Sequence, residues 1–313
     1  MRRCLFCYQE LYESDGDYHS KCSKRMFGQP VPPTFQINQS EMESIAKKII
    51  RSQIAVTGVQ PKLSLEIEKD GLNSGGKRLT IVGLWGSYIL KPQTKDYEQL
   101  PEVEDLSMHL ADIAKIDTVP HCLIHLKSGE LAYITKRIDR DKKKKIHMED
   151  MCQLTERLTE DKYHGSYEQI AKTILKFSTN PVLDVVNFFE QVLFSFLIGN
   201  ADMHLKNYSL IYEDNTRPLL SPAYDLVATA VINPADKEDL ALTLNGKRSK
   251  INKRDFEAAF KTLKLESKQQ ENIFNKMQKA KSQWSDFIEI SFLTNEHKST
   301  LKAIIQERFD RLS

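Results

Sequence analysis

The stretch Asp202-Met203-His204-Leu205-Lys206-Asn207 lies near the middle of the chain and follows the long apolar segment 185–199. An Asp followed five residues later by an Asn is the spacing of a kinase catalytic loop. In that loop the Asp accepts the proton of the attacking hydroxyl, and the Asn holds Mg²⁺ on the nucleotide phosphates. Asp225 follows closely enough for its carboxylate to be the second metal ligand. The spacing therefore predicts phosphoryl transfer from ATP, with Asp202 as the base and with Asn207 and Asp225 at Mg²⁺.

His204 leaves the class of kinase open. It lies two residues after the candidate base, where protein kinases usually have Lys. Phosphatidylinositol kinases use an Asp-x-His-x-x-Asn order that this loop also fits. In such a loop His204 would contact a phosphate or orient Asp202. The six residues alone are therefore compatible with a protein kinase and with a lipid or small-molecule kinase.

Two further segments could bind the nucleotide phosphates. Lys91 ends the apolar strand 88–91, from which its ammonium group can reach the α- and β-phosphates. Such a lysine needs a helix glutamate to hold it, and of Glu102 and Glu104 at the start of the next helix we select Glu104. The loop from Thr57 to Lys62 has one glycine and matches neither a Walker A loop nor the glycine-rich loop of kinases. Its backbone N–H groups could still cradle phosphates.

Length and composition describe an ordinary globular protein. The chain has 313 residues, of which 40% are hydrophobic and 28% charged, and its net charge of +2 gives no general reason to expect DNA binding. No apolar run reaches the roughly 18 residues that span a membrane, so no membrane association is expected. Five cysteines without a secretion signal indicate a reducing cytoplasm rather than a disulfide framework, although export to another cell stays open. The basic run 142–145 is either a solvated loop or a docking point for an acidic partner.

The order of predicted elements indicates an α+β, bilobal protein-kinase-like fold. Residues 31–145 form a strand-rich domain with the phosphate loop and the ATP lysine, and residues 146–313 form a larger helical domain with the catalytic loop. Ser40 and Glu43 form a capping-box pattern for a helix that would run through Ile50. The remaining periodic segments are predicted as helices at 102–115, 168–177, 183–198, 254–263, 268–284 and 297–310, and as strands near 63–67, 79–82, 88–91, 121–125, 131–137, 208–212 and 218–220.

Residues 1–30 form a separate segment that carries Cys4, Cys7, His19 and Cys22. Four potential ligands in two close pairs have the spacing of a small structural Zn²⁺ site. A metal would matter in so short a segment because it cannot bury a core of its own. The alternative is four reduced residues without a metal.

Ordered motifs across residues 50–230 resemble those of the HipA family of bacterial toxin kinases. About 50 residues precede the phosphate loop, too few for the N-terminal subdomain of full-length HipA proteins, so the chain is most similar to the shortened HipT type. The motifs are Gly58-Val59-Gln60-Pro61-Lys62, Ile89-Leu90-Lys91-Pro92, Arg137-Ile138-Asp139-Arg140, Glu149-Asp150-Met151-Cys152-Gln153, Ile198-Gly199-Asn200-Ala201-Asp202-Met203-His204-Leu205-Lys206-Asn207 and Pro222-Ala223-Tyr224-Asp225.

This resemblance implies a role for each matched residue. It implies that Asp202 is the base, that Asn207 and Asp225 bind Mg²⁺, and that His204 and Lys206 lie at the nucleotide. Together with Glu104, selected above, the remaining residues assigned to ATP are Thr57, Gly58, Val59, Gln60, Pro61, Lys62, Lys91, Lys136, Arg137, Ile138 and Tyr224, with Lys136 to Ile138 as the hinge that meets adenine.

The resemblance also implies a substrate and partners. HipA-family kinases phosphorylate serine in aminoacyl-tRNA synthetases, and for the HipT type tryptophanyl-tRNA synthetase is the first choice. The expected partners are a HipS-like small protein and a HipB-like DNA-binding antitoxin, with no direct DNA binding by this chain. A nucleotide-binding subunit of a repressor complex is the non-enzymatic alternative.

One departure from the family concerns autophosphorylation. The shortened form has a Ser-x-Ser pair in the phosphate loop, and here those positions are Ala55 and Thr57. Thr57 is therefore the candidate acceptor, with Ser52 and Ser64 as local competitors. A phosphate on Thr57 would add nearly two negative charges beside the phosphates of ATP.

Overall fold

The structure is a computed structural model that describes residues 2–42, 44–45, 62–69, 76–82, 85–141, 144–214 and 216–313. The chain divides into two compact units. The first comprises Met1–Asp105, Val119–Lys144 and Ile290–Phe292, and the second comprises Leu106–Thr118, Lys145–Glu289 and Leu293–Ser313.

A five-stranded antiparallel sheet forms the centre of the first unit. Its strand order is β2-β1-β3-β5-β4. Leu63 and Leu65 are buried while Ser64 between them is only half-buried, which is the alternation expected of a strand with one face on the core. The strands are β1 (Leu63–Lys69), β2 (Lys77–Ile81), β3 (Tyr88–Pro92), β4 (His121–His125) and β5 (Leu131–Lys136).

The cysteine-containing N-terminal segment is part of this first unit. Its helix α1 (Ser20–Phe27) ends at Gly28, whose φ of 73° lies in the left-handed region that a glycine adopts at low cost. The backbone N–H of Leu123 in β4 donates to the Leu5 carbonyl, and the Tyr18 hydroxyl donates to the Leu123 carbonyl. These bonds attach the segment 1–30 to the sheet of the first unit.

A short helical segment covers residues 39–42 and 44–45, and its cap differs from the predicted one. Oδ1 of Asn38 accepts from the Glu41 amide at 2.9 Å, and a Glu41 carboxylate oxygen accepts from the Asn38 amide at 3.0 Å. The predicted cap residue, Ser40, donates its hydroxyl to Asn38 instead. The capping box therefore begins two residues earlier than predicted, and the predicted continuation through residue 50 lies outside the described residues.

Helix α2 (Leu100–Ile113) begins in the first unit and continues into the second. The Trp284 indole donates to the Leu110 carbonyl at 2.8 Å, and Ser107 Oγ accepts from the Ala228 amide at 3.0 Å. These long-range bonds attach residues 106–118, which lie within the predicted domain 31–145, to the helical unit. Sequence periodicity identifies a helix but gives no information on which later segments pack against it.

The second unit is mainly helical and contains a three-stranded antiparallel sheet in the order β10-β9-β8. The predicted helices are present with shifted ends. The helices are α3 (Met151–Leu154), α4 (Tyr167–Phe177), α5 (Pro181–Ile198), α6 (Thr229–Ile232), α7 (Lys253–Thr262), α8 (Ser267–Glu289) and α9 (Asn295–Asp310). The strands are β8 (Met148–Asp150), β9 (Ser209–Glu213) and β10 (Arg217–Leu220), and the short pair β6 (Arg140–Asp141) and β7 (Lys144–Lys145) precedes them.

Helix α5 is the core helix of the second unit. Its 18 residues are long and apolar enough to cross a membrane by length and composition alone, which corrects the expectation that no segment reaches this length. Most of the helix is buried inside the protein, as a core helix of a globular protein would be. Its buried aromatic residues pack edge to face with other helices, as Phe189 does on Phe260 and Phe194 on Trp284.

Candidate active site

The candidate catalytic loop begins where α5 ends. Gly199 has a φ of 71°, and its amide donates to the Phe196 carbonyl while the Asn200 amide donates to the Ser195 carbonyl. A Cβ at residue 199 would lie 2.9 Å from the Cβ of Ala230, so only glycine fits without a shift. The helix end therefore sets the direction in which the loop leaves the core.

Buried side chains and backbone bonds hold the loop on both sides of Asp202. Met203 and Leu205 are buried, whereas Asp202 between the buried residues 200 and 203 is exposed. This arrangement presents one carboxylate to solvent on an anchored backbone. The anchoring hydrogen bonds run from Ala201 N to Thr229 Oγ1, from Tyr167 Oη to the Met203 carbonyl and from Leu205 N to the Lys162 carbonyl.

Tyr163 contacts the candidate base directly. Its hydroxyl donates to Oδ1 of Asp202 at 2.6 Å. Burial, together with this bond and the negative charge of Asp202, raises the pKa of Tyr163 well above its ordinary value. The phenol therefore stays protonated and can act as a permanent donor to the carboxylate. The sequence contains no signal for this contact, because the two residues are 39 positions apart.

His204 is buried beside the same tyrosine. Its ring packs edge-on against the ring of Tyr163 with 5.0 Å between centroids. Burial lowers the pKa of His204 to about 4, although the carboxylates of Asp202 and Asp225 act in the opposite direction. No described residue hydrogen-bonds to its buried Nδ1. His204 is therefore a neutral imidazole near neutral pH.

Asn207 and Asp225 are the predicted Mg²⁺ ligands, and both are positioned by the small sheet. Asn207 is buried and ends the turn Leu205–Asn207 just before β9. The hydroxyl of Tyr224 lies 2.5 Å from Ser209 Oγ in β9 and donates to the Lys206 carbonyl at 3.1 Å. Tyr224, predicted at ATP, thus connects the segment of Asp225 to the turn of Asn207.

Asp225 has a φ of 56°, in the left-handed region that L-residues other than Asn and Asp rarely adopt. Non-glycine residues held in this region are enriched at functional sites. Its oxygen atoms and the side-chain oxygen of Asn207 form the kind of hard donor set that Mg²⁺ requires. The composition of the pair therefore fits the predicted metal.

Lys206 makes an ion pair that the sequence did not predict. Its ammonium group lies 2.7 Å from Oδ2 of Asp150, at the end of β8. The same Asp150 side chain caps α3 by accepting from the Gln153 amide, in a capping box. The pattern of Asp followed three residues later by Gln is a detectable capping signal, whereas the bond to Lys206 is a tertiary contact.

In the first unit, Lys91 and Glu104 form a buried ion pair. The exposed fractions of their side chains are 3% and 0%, and Lys91 Nζ donates to Glu104 Oε1. The ammonium group also lies 5.4 Å from the ring centroid of Tyr133, its cross-strand neighbour on β5. Glu104 is the partner selected from the sequence. Its assignment to ATP binding stays a prediction.

The predicted hinge 136–138 follows β5. The amide of Lys136 donates to the Pro120 carbonyl and that of Arg137 to the Ser87 carbonyl, both at 2.8 Å. These two amides are therefore already bonded, and adenine would have to use carbonyl groups or residue Ile138. The Arg137 guanidinium binds both carboxylate oxygens of Asp139 at 2.9 and 2.8 Å.

The phosphate loop is described only at its end. Lys62 is exposed immediately before β1, and the predicted residues Thr57, Gly58, Val59, Gln60 and Pro61 lie outside the described residues.

The structure brings the four predicted zinc ligands together. One ligand atom from each of Cys4, Cys7, His19 and Cys22 lies within 4.8 Å of the others. The cluster belongs to the first unit.

The fold and the loop together define a kinase-like α+β protein, and the sequence matches one family. The profile of the HipA-like C-terminal domain matches residues 54–284, well over half of the chain. The chain therefore belongs to the HipA-like C-terminal domain family. The matched range contains Lys91, the catalytic loop and Asp225.

Two curated relatives of this chain are named as putative kinases. "Putative kinase Y4dM" of Sinorhizobium fredii is 34% identical over 246 residues, covering 72% of this chain and 58% of its own length. A "Putative kinase" of Haemophilus influenzae is 34% identical over 206 residues, covering 61% of this chain and 57% of its own. The chain thus spans less than two thirds of the length of either relative.

Solved structures confirm the predicted fold class. The HipA structure from Shewanella oneidensis, in complex with HipB and operator DNA, has a TM-score of 0.70 at 20% identity and covers 90% of this chain and 74% of its own. The proinflammatory kinase CtkA of Helicobacter pylori has a TM-score of 0.56 at 16% identity and covers 79% of this chain and 93% of its own. At these identities the likeness shows the fold alone.

Proposed function

We propose that this chain is an ATP-dependent protein kinase that phosphorylates serine or threonine. The observation that carries the proposal is the exposed carboxylate of Asp202 on a loop whose neighbours are buried, five residues before the buried Asn207. Membership of the HipA-like family and the names of its relatives support the same reaction.

In this reaction Asp202 acts as the general base. Because Oδ1 is occupied by Tyr163, Oδ2 is the oxygen that accepts the proton of the substrate hydroxyl. The hydroxyl oxygen forms a bond to the γ-phosphorus as the bond to the β–γ bridging oxygen breaks, and ADP leaves. Lys91, held by Glu104, would neutralise charge on the α- and β-phosphates.

Asn207 and Asp225 are the residues that would hold Mg²⁺. The ion would neutralise the charge that develops on the phosphate oxygens. Tyr224 would keep the two ligand-bearing segments in register through its bonds to Ser209 and the Lys206 carbonyl.

We further propose a biological role as a HipT-type toxin of a toxin–antitoxin system in the bacterial cytoplasm. The substrate would be a serine of an aminoacyl-tRNA synthetase, tryptophanyl-tRNA synthetase in the first instance. The HipA neighbour was solved with HipB and operator DNA, which supports a HipB-like antitoxin as a partner. A HipS-like small protein would be the second partner, and HipB rather than this chain would contact DNA.

Autophosphorylation of Thr57 would regulate the kinase, since a phosphate there repels ATP. Mass spectrometry after incubation with ATP tests this point. Phosphate on Ser52 or Ser64, and none on Thr57, would show that Thr57 is not the acceptor. This result would leave the kinase proposal intact.

The main experiment incubates the purified chain with labelled ATP and bacterial lysate. We expect one labelled protein band, which mass spectrometry identifies, and no label with Asp202→Asn. Asp286→Asn is the matched control, because it makes the same change at an exposed position of α8. Transfer by Asp202→Asn at the rate of this control would refute the proposal.

The Asp-x-His-x-x-Asn order keeps a lipid or small-molecule kinase as the second candidate. Label in a lipid extract or a small-molecule fraction, with no protein band, would favour it. Nucleotide binding without any transfer would instead favour a subunit of a repressor complex.

A further inference from the structure

We propose that Cys4, Cys7, His19 and Cys22 bind one Zn²⁺ in a closed tetrahedral site that holds the N-terminal segment on the first unit. None of the four residues takes part in the proposed kinase reaction. Its ligand would be a borderline-soft divalent cation, because three sulfur atoms and one imidazole nitrogen are the donor set of structural zinc sites.

The distances within the cluster agree with one tetrahedral ion. Zn²⁺ binds sulfur at about 2.3 Å and imidazole nitrogen at about 2.05 Å, so a tetrahedral site separates S from N by roughly 3.6 Å. Cys7 Sγ lies 3.4 Å from His19 Nδ1, and Cys22 Sγ lies 3.8 Å from the same nitrogen. The cluster therefore has the size of a coordination shell.

A hydrogen bond orients the histidine as a metal ligand. Nε2 of His19 lies 2.9 Å from the carbonyl oxygen of Glu10, to which only a protonated nitrogen can donate. Nδ1 of a neutral ring then carries the lone pair, and it is this atom that faces the cysteines. Metal-binding histidines use such a second bond to fix their tautomer.

The backbone brings each pair of ligands to the same point. The Cys4 amide donates to the Gln9 carbonyl and the Tyr8 amide to the Cys4 carbonyl, which closes the first Cys-x-x-Cys turn. Tyr8 has a φ of 61° in this turn, a conformation that a tyrosine rarely adopts. The second pair lies at the start of α1, where His19 is the N-cap and Cys22 is on the first turn.

The site would also support the helix that carries Glu104. Tyr8, completely buried within the first turn, donates its hydroxyl to Oδ2 of Asp105 at 2.8 Å. Asp105 is adjacent to Glu104 in α2, and its other oxygen is 2.6 Å from Nδ1 of His121. Loss of the ion would therefore loosen the start of α2 as well as the N-terminal segment.

Metal analysis of the full, untagged chain purified without chelator tests the proposal. We expect one equivalent of zinc per chain, and no zinc in the double variant Cys4→Ser/Cys22→Ser. Cys152→Ala is the control, because this cysteine lies in the second unit and should leave the zinc content unchanged. A chain that contains no zinc and takes up none on titration would overturn the proposal, as would a double variant that keeps its zinc.

Cobalt substitution gives a second readout that does not depend on a stable double variant. Co²⁺ at this site should show intense thiolate charge-transfer and tetrahedral d–d bands. His19→Cys should retain one equivalent of metal and shift these bands toward those of a four-sulfur site. Bands that do not respond to His19→Cys would exclude His19 as a ligand and overturn the proposed donor set.

Discussion

Tyr163 donates its hydroxyl proton to Oδ1 of Asp202 across 2.6 Å. The bond leaves Oδ2 as the oxygen available to a substrate hydroxyl. It also fixes the orientation of a carboxylate that is otherwise exposed on its loop. Tyr163 therefore positions the base of the proposed kinase through this one hydrogen bond.

Tyr163→Phe should lower kcat by about 10- to 100-fold with little change in KM for ATP, because one hydrogen bond to a charged group is worth roughly 1.5–3 kcal/mol. Steady-state kinetics with ATP and the labelled substrate measure both constants. Tyr212→Phe is the matched control, since its hydroxyl bonds to Glu149 instead of Asp202. An equal loss in both variants would show that the effect is structural.

Removal of either partner of the Lys91–Glu104 pair should destabilise the protein by about 3–5 kcal/mol, because the remaining charge stays buried and loses this ion pair. We expect Lys91→Met and Glu104→Gln to show this loss in urea unfolding. The double variant should lose less than the sum of the two, because both charges of the ion pair are removed together. If the loss of the double variant equals the sum of the two single losses, the two side chains do not stabilise each other.

Asp150→Asn separates the two roles of Asp150. Its side-chain oxygen can still accept from the Gln153 amide, so the cap and the stability should be kept within about 0.5 kcal/mol. The charge on Lys206 loses its partner, and KM for ATP should rise several-fold. Asp150→Ala should show the same kinetic change and lose about 1 kcal/mol of stability in addition. Unchanged kinetics in both would exclude a role for this pair at the nucleotide.

Glu102 should make the protein less stable at alkaline pH. Burial at the start of α2 raises its pKa from 4.5 to about 7, so between these values the native state binds the proton more strongly than the unfolded state. The stabilisation from this proton is complete below pH 4.5 and is lost as the pH rises through 7. The total loss in the free energy of unfolding is about 3 kcal/mol.

Glu102→Gln imitates the protonated form. Its melting temperature should exceed that of the wild type at pH 8, and the two should be equal near pH 4.5. Glu68→Gln, an exposed substitution on β1, should change the melting temperature little at either pH. An equal gain for Glu102→Gln at both pH values would contradict the expected proton linkage.

Much of the fold could be predicted because the deciding signals are local. The alternation of Leu63, Leu65 and Ile67 predicted most of β1, and the periodicity in 268–284 predicted most of α8. The choice between two neighbouring candidate residues for the same helix cap was harder to predict. Asn38 and Ser40 can both cap a helix, and the structure uses Asn38 because its side chain accepts from the Glu41 amide.

In the candidate site, contacts between adjacent elements could be predicted from the sequence, whereas contacts between distant segments could not. Lys91 and Glu104 are 13 positions apart on adjacent elements, and their pairing could be predicted from a strand followed by a helix. Tyr163 and Asp202, or Lys206 and Asp150, meet only because distant segments pack together. No spacing in the sequence records such contacts.

By itself, the sequence determined the order of helices and strands, the catalytic spacing from Asp202 to Asn207 and the two pairs of candidate zinc ligands. Each depends on neighbours within a few positions along the chain. Only the tertiary structure decided that α2 is shared between two units, that Tyr163 bonds to Asp202, and that His19 Nδ1 meets the sulfur atoms of Cys7 and Cys22. These contacts arise because burial of apolar faces joins segments that are far apart in the chain, and local patterns cannot specify which segments those are.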